Sequence, residues 1–365
     1  MKIGFDAKRY YHNQTGLGNY SRTIVAAVKG QHADIEAVLY DEKALSRTFS
    51  LGRKAKAEGC NLFHGLSNEL PRDVVRAGLP SIVTIHDVAW RTFPGMYKPI
   101  DRVLYDWKYG HSAKIATHVV AISESTKRDV MRFYGVPEER ISVIYQPVQQ
   151  IYYNTITPKR AADIIAAHPT LRDITPFNSS QQPQQLRFFL TVGSINSRKN
   201  LLGMLKAFNE IPSGEKIPFL VVGNGREYRR TCEEYIREKG LSAWVTILDD
   251  IHDAETLQAL YTLATILLYP SFYEGFGLPV AEAALQYCPV ITSNISSLPE
   301  AAGPGAIIAD PYSTDDITAA MLQLLRNTTQ REQLGKAGHD YALSHFNPDT
   351  LTQQLYDLYQ HVAAL

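Results

Sequence analysis

The chain has 365 residues, 37 Lys and Arg against 37 Asp and Glu, 45% hydrophobic and 20% charged residues; that length suits roughly two domains, and that composition excludes a disordered chain. Cys60, Cys232 and Cys288 stand too far apart for a disulfide scaffold or a cysteine-based zinc site. No apolar run reaches the roughly 18–20 residues of a membrane span, and the opening MKIGFDAKRYY carries no secretory apolar core, so the expected compartment is the cytoplasm.

Short apolar runs alternate with longer amphipathic ones. Residues 2–5 read as a strand and 21–28 as a helix, and 37–40, 61–63, 81–85 and 118–122 are further short apolar runs. The alternation predicts βα units and a parallel sheet. Residues 154–186 lose the pattern in Pro, Ser, Asn and Gln and read as a linker, with a short helix over 161–167. Strand-like runs then return at 187–192, 219–222, 245–248, 265–268 and 290–292, with helices at 201–208, 227–239 and 254–264 between them. A last helix, 349–363, has apolar positions at Leu351, Leu355, Leu358 and Val362. The expected class is α/β: two Rossmann-like domains facing across a cleft, 1–178 (completed by 349–365) and 186–345. Residues 1–180 carry 24 basic and 17 acidic residues, the remainder 13 and 20. The net +7 and −7 fit either an anionic ligand on the first domain or mutual attraction of the halves.

Residues 270–282, PSFYEGFGLPVAE, carry the most chemistry. A strand runs into a loop with Gly275 and Gly277, and Pro279 fits the first turn of a following helix. Glycines allow close backbone approach, and a helix N-terminus offers N–H groups to an anion, so the element suits phosphate. Glu274 precedes the loop and Glu282 follows in what reads as the first helical turn. Carboxylates beside phosphate suit a polyol whose hydroxyls donate to them, one for ribose and one for a sugar ring. Singly, each glutamate reads as a solvated loop residue or a helix-dipole stabiliser. A second loop, GSINSRKNL from Gly193, sets Arg198 and Lys199 at a helix start, where both can clamp phosphate oxygens by charge-assisted bonds. Such charges stabilise a diphosphate leaving group and can replace a metal ion. Gly223-Asn-Gly225 is a third glycine turn at a strand end.

EGFGLPVAEA resembles the E-x7-E signature of the retaining glycosyltransferase family 4, which has the GT-B fold, and the resemblance extends from the start of the chain to beyond ITSNISSLPE. It implies that Glu274 contacts the donor sugar and Glu282 the nucleotide ribose, with Gly275, Phe276, Gly277 and Leu278 forming the donor loop. It also implies that Lys199 binds the diphosphate, with Arg198 as a second positive charge. Many members carry Arg directly after the glycine of this loop; here that position is Ser194, a departure. Gly193, Gly223 and Gly225 would line the nucleotide side, and Gly16 and Gly18, in a loop before the first helix, would face the donor phosphates. His86, ending SIVTI, would contact the donor sugar.

The residues leave acceptor contacts more open. Strand C-termini in an open α/β sheet point at the ligand crevice. On that ground His64, Asp87 and Ser123 are acceptor candidates, against the alternatives of a structural His64 and a turn-capping Asp87. Segment 97–109 mixes Lys98, Arg102 and Lys108 with Tyr97, Tyr105, Trp107 and Tyr109. It fits either a peripheral contact at the inner face of the cell membrane or an ordinary helix packing aromatics inward. No Ser-His-Asp order, HExxH or GxxxxGK[ST] is present, and Gly16–Gly18 lacks the third glycine of a dinucleotide fingerprint. A glycosidase would also use two acids but would leave Arg198 and Lys199 idle. The expected activity is transfer of a sugar from a nucleoside diphosphate sugar (GDP-mannose or a UDP-sugar) to a glycan or lipid-linked saccharide, as in bacterial polysaccharide mannosyltransferases. Retention of configuration is implied by the resemblance. No cofactor, metal or nucleic-acid partner is expected. The rival readings are a nucleotide-sugar epimerase and a non-catalytic nucleotide-sugar-binding protein.

Overall fold

The computed structural model describes residues 1–13, 16–174, 176–177 and 186–365. They form two units, Met1–Pro147 with Phe346–Leu365, and Val148–His345. The Gln-rich end of the expected linker, residues 175 and 178–185, lies outside the described residues.

The first unit is built on six parallel strands: β1 (Lys2–Asp6), β2 (Glu36–Tyr40), β3 (Leu62–Gly65), β4 (Ser81–Ile85), β5 (His118–Ala121) and β6 (Ile141–Val143). They run β2-β1-β3-β4-β5-β6 across the sheet. β3, β4 and β5 are buried along their whole length, which is why they read as unbroken apolar runs. The order reverses between β1 and β3, so the crevice at their C-terminal ends is the switch point. The C-terminal helix Pro348–Ala363 packs on the helix Gly16–Gln31 and on β3. Its stripe Leu351, Leu355, Leu358 and Val362 is buried, worth roughly 1.5–3 kcal/mol per side chain. Asn347 caps its start by accepting from the N–H groups of Asp349 and Thr350.

The second unit holds β7 (Phe189–Val192), β8 (Phe219–Val222), β9 (Val245–Leu248), β10 (Ile266–Tyr269), β11 (Val290–Ser293) and β12 (Ala306–Ala309). Their order is β12-β11-β10-β7-β8-β9, all parallel. Counted within the unit and from the β9 edge, this is 3-2-1-4-5-6, the order of dinucleotide-binding open sheets. The switch point lies between β7 and β10, so loops leaving those two strands meet at one crevice. Phe189, Phe208 and Phe219 anchor the core with ring centroids 5.7–6.2 Å apart.

Two expected boundaries move. The units divide at Pro147, not at residue 178, because the segment after Pro147 is tied into the second unit. There the helix Pro158–Ala167 packs on the helix Ala254–Leu263 and buries Ala161 and Ile165. The Gln258 and Gln286 amides donate to the carbonyls of Ile151 (3.0 Å) and Tyr152 (2.6 Å). Thr157 caps the 158–167 helix, a start signal hidden in a polar stretch. The first long helix runs Gly16–Gln31 rather than 21–28, so Gly16 and Gly18 lie in its first turn and not in a preceding loop.

Candidate functional site

The loop after β7 turns at Gly193 and enters a short 3-10 turn, Ser197–Lys199, capped by the Asn196 side chain. Asn200 follows in the left-handed region (φ +60), a conformation Asn tolerates better than most residues. Its buried amide donates to the carbonyls of Pro270 (3.0 Å) and Pro311 (2.8 Å). The Phe272 N–H donates to the Arg198 carbonyl at 2.9 Å. The β7 loop is thereby stitched to the loop leaving β10, across the switch point.

Three charged side chains meet there. Arg198 Nη1 lies 2.8 Å from Glu274 Oε2, and Lys199 Nζ 2.6 Å from Glu274 Oε1. Arg198 also donates to the Tyr273 carbonyl, and Lys199 to the Tyr269 hydroxyl. Tyr269, last residue of β10, donates in turn to Glu274 Oε1 at 3.2 Å. Burial of Glu274 would raise its pKa, but the Lys199 ammonium and the Arg198 guanidinium outweigh it and hold the carboxyl at about 2. Burial pushes Lys199 below its ordinary 10.5, which Glu274 partly offsets. The cluster carries one surplus positive charge in a desolvated corner, which suits a diphosphate. A recess lined by Gly193, Ser194, Ile195, Lys199 and Tyr269 opens beside it.

The glycine loop is fixed by serines. The Ser297 hydroxyl bonds the carbonyls of Glu274 (2.9 Å) and Phe276 (2.7 Å), and the Ser296 hydroxyl accepts from the Glu274 N–H at 3.1 Å. Gly277 caps the helix Leu278–Leu285 at φ +115, a conformation L side chains rarely adopt. The helix therefore presents its N-terminal N–H groups at the end of the loop. Phe276 is buried. Glu282 lies one turn further along than expected, as the fifth helical residue, and it is buried; a helix-dipole role does not account for it. Its Oε2 accepts from the Tyr261 hydroxyl at 2.9 Å. Burial raises its pKa to about 7, against the opposing pull of that hydrogen bond and of Lys199. One acid is therefore fully ionised near neutrality and the other is poised to change state.

Gly223 and Gly225 serve loop-to-loop packing. The Gly193 N–H donates to the Val222 carbonyl (2.9 Å) and the Ile195 N–H to that of Asn224 (2.7 Å). A Cβ on Gly223 would lie 1.9 Å from the Gly193 carbonyl oxygen, and one on Gly225 2.3 Å from that of Ile195.

In the first unit, His86 ends β4 and is buried against the edge of Tyr20, with ring centroids 4.6 Å apart. Its Nε2 lies 2.9 Å from the Leu66 carbonyl. A carbonyl only accepts, so Nε2 carries the proton and Nδ1 is the acceptor. Burial lowers its pKa, so the neutral ring prevails at neutral pH. Gly18 is buried and its N–H donates to Asn13 Oδ1 at 3.2 Å, while Gly16 is exposed. Of the three acceptor candidates, two are buried and the third, Asp87, is half-buried. His64 is fully buried, with Nδ1 2.7 Å from the Tyr359 hydroxyl and Nε2 2.9 Å from Thr84 Oγ1; it ties the C-terminal helix to the sheet. Ser123 is buried and caps the helix Glu124–Tyr134. Asp87 Oδ1 accepts from the Ala89 N–H at 3.1 Å, capping a turn. Sequence reasoning missed Tyr261, Tyr269, Ser296, Ser297 and the pinning role of Asn200.

Residues 174–341 match the family model of glycosyl transferases group 1, and residues 39–149 that of Glycosyltransferase Family 4. The O-antigen chain mannosyltransferase B of Escherichia coli is 32% identical over 276 residues, covering 74% of this chain and 67% of that protein. The O-antigen chain mannosyltransferase RfbU of Salmonella typhimurium is 28% identical over 229 residues; the match spans 63% of this chain and little more than half, 56%, of that relative. Among solved structures, HepE of Anabaena, in complex with UDP and glucose, superposes with a TM-score of 0.74 over 99% of this chain and 100% of that one. At 16% identity this is a likeness of fold alone.

Proposed function

The chain belongs to the family 4 glycosyltransferases, of GT-B fold, and from that premise we propose that it transfers a mannosyl residue from GDP-mannose to a growing glycan or lipid-linked saccharide, with retention of configuration. The observation that carries the reading is the convergence of Arg198 and Lys199 on Glu274 at the β7–β10 switch point. Two relatives named as O-antigen mannosyltransferases support mannose as the sugar. A UDP-sugar donor uses the same diphosphate chemistry.

In this reading the diphosphate enters the surplus-positive corner and shares the two cations now held by Glu274. Charge developing on the departing phosphate oxygen is met by preorganised donors, the kind of contact worth roughly 10²–10³ in rate per donor. Glu274, partly released from its ion pairs, accepts from hydroxyls of the transferred sugar, and Glu282 accepts from ribose hydroxyls. The leaving phosphate oxygen takes the acceptor proton, so no strong protein nucleophile is required. A nucleotide-sugar epimerase remains the rival, since it needs no acceptor.

The test is product analysis with labelled GDP-mannose and a panel of UDP-sugars, each with and without a mannan or lipid-linked oligosaccharide acceptor. The reading expects label in the acceptor from GDP-mannose. An epimerised nucleotide sugar from donor alone, or transfer from UDP-sugars only, rejects it in whole or in the choice of donor.

A further inference from the structure

Two loops of the second unit carry aromatic rings that the transferase reading leaves unused. Phe272 lies in the loop leaving β10, two residues before Glu274, and Tyr312 in the loop leaving β12. Their rings stack with centroids 4.8 Å apart and planes 28° from parallel. Phe272 is half-buried, whereas Tyr312 is 65% exposed, more than any other aromatic among the described residues. A ring stacked on one side and largely exposed overall turns its other side to solvent. Burial gives no reason for a large apolar ring at this position.

The ring is also held in place. The Asp310 carboxylate accepts from the Tyr312 N–H at 2.9 Å, the Ser313 N–H donates to the Asp310 carbonyl at 3.1 Å, and the Ser313 side chain caps the helix Thr314–Arg326. The Asn200 amide, which donates to the carbonyls of Pro270 and Pro311, clamps both aromatic loops within two residues of their rings. The Phe272 N–H donates to the Arg198 carbonyl at 2.9 Å. The aromatic pair is thereby fixed in register with the Arg198–Glu274–Lys199 cluster, and a ring fixed beforehand loses little freedom when a ligand lands on it.

The surroundings decide the class of ligand. Residues 306–325 contain Asp310, Asp315 and Asp316 and no Lys or Arg, so an anionic ligand would meet charge of its own sign here. A neutral pyranose does not. The C–H groups of one sugar face pack on the negative face of an aromatic ring, and its hydroxyls can donate to carboxylates. We propose that Tyr312, backed by Phe272, is a stacking platform for a pyranose ring of the acceptor glycan, and that it holds the growing chain beside the diphosphate corner. The proposal deepens the transferase reading and rests on it for the choice of a glycan as occupant.

The experiment reads binding and turnover separately. Saturation-transfer NMR of the full chain with α-mannotetraose, maltotetraose and chitotetraose measures binding without a donor. The wild type is expected to bind at least one of them. Tyr312→Ala should weaken that binding roughly tenfold, the loss of one stacked ring, while its melting point and its GDP affinity stay those of the wild type. Tyr312→Phe keeps the ring and should restore the affinity. In transfer from GDP-mannose the loss should appear in the acceptor KM and not in the donor KM. No oligosaccharide binding by the wild type overturns the proposal, as does equal binding by Tyr312→Ala. A rise in the donor KM alone also overturns it, assigning the ring to the donor. Oligosaccharide binding that depends on Tyr312, in a chain that transfers from no donor, supports the platform and rejects the transferase reading.

Discussion

Glu274→Gln isolates the charge at the centre of the site. The carboxyl is held at about 2, against an ordinary 4.5, and each tenfold change in proton affinity is about 1.4 kcal/mol. Ionised Glu274 therefore contributes roughly 3 kcal/mol to folding at neutral pH. Removing one partner of a buried ion pair independently costs about 3–5 kcal/mol. For a unit of this size about 1 kcal/mol moves the midpoint by about 2–4 °C, so the variant should melt roughly 6–12 °C below wild type at pH ~7. The sign follows from the depressed pKa. The contribution is present above the ordinary carboxyl value and is lost as pH falls from 4.5 through about 2, so the gap should shrink to less than half near pH ~3. Calorimetry or dye-monitored melting across that window measures it. Equal melting at neutral pH, or a gap that ignores pH, would falsify the claim that two cations hold this carboxylate.

Three further outcomes follow from the same geometry. Lys199→Ala should lower kcat/KM for the nucleotide sugar by roughly 10²–10³, measured by labelled-donor transfer; a loss under about threefold contradicts its placement on the leaving group. Glu282, with its pKa raised to about 7, favours folding below 4.5 and loses that contribution as pH rises through about 7. Ribose hydroxyls would prefer the ionised form, so nucleoside diphosphate affinity by calorimetry should rise between about pH 6 and 8, and Glu282→Gln should flatten the profile. Gly223→Ala places a methyl 1.9 Å from the Gly193 carbonyl and should destabilise by about 1–3 kcal/mol; a melting point unchanged within error would show that the two loops part easily.

Much of the second-unit site was legible because its chemistry is local. GSINSRKN and EGFGLPVAE carry glycine, charge and helix-start signals within a few residues, and each sits after an apolar run that forms a strand. What was not legible depends on partners far along the chain. Tyr269 closes an apolar strand and reads as core, yet its hydroxyl joins Lys199 to Glu274. Tyr261 reaches Glu282 from 21 residues away. His64 and His86 follow apolar runs in the same way, but His64 is saturated by Thr84 and by Tyr359, 295 residues distant. Its interior role is thus decided by the C-terminal helix rather than by its own neighbourhood. Ser123 and Asp87 are polar at strand ends because the following turns need caps, a pattern indistinguishable in sequence from a binding position. The domain boundary was obscured likewise: the helix Pro158–Ala167 lies in a polar stretch, and only its packing on Ala254–Leu263 assigns it to the second unit.

The central claim is that the nucleoside diphosphate sits where the loops after β7 and β10 meet. A crystal structure with GDP or UDP tests it most directly. The account predicts the diphosphate oxygens within hydrogen-bond distance of Arg198 and Lys199, at the N-terminus of the helix Leu278–Leu285, with Glu274 displaced from at least one of its ion pairs; a nucleotide bound elsewhere, with the Arg198–Glu274–Lys199 cluster unchanged, would contradict it.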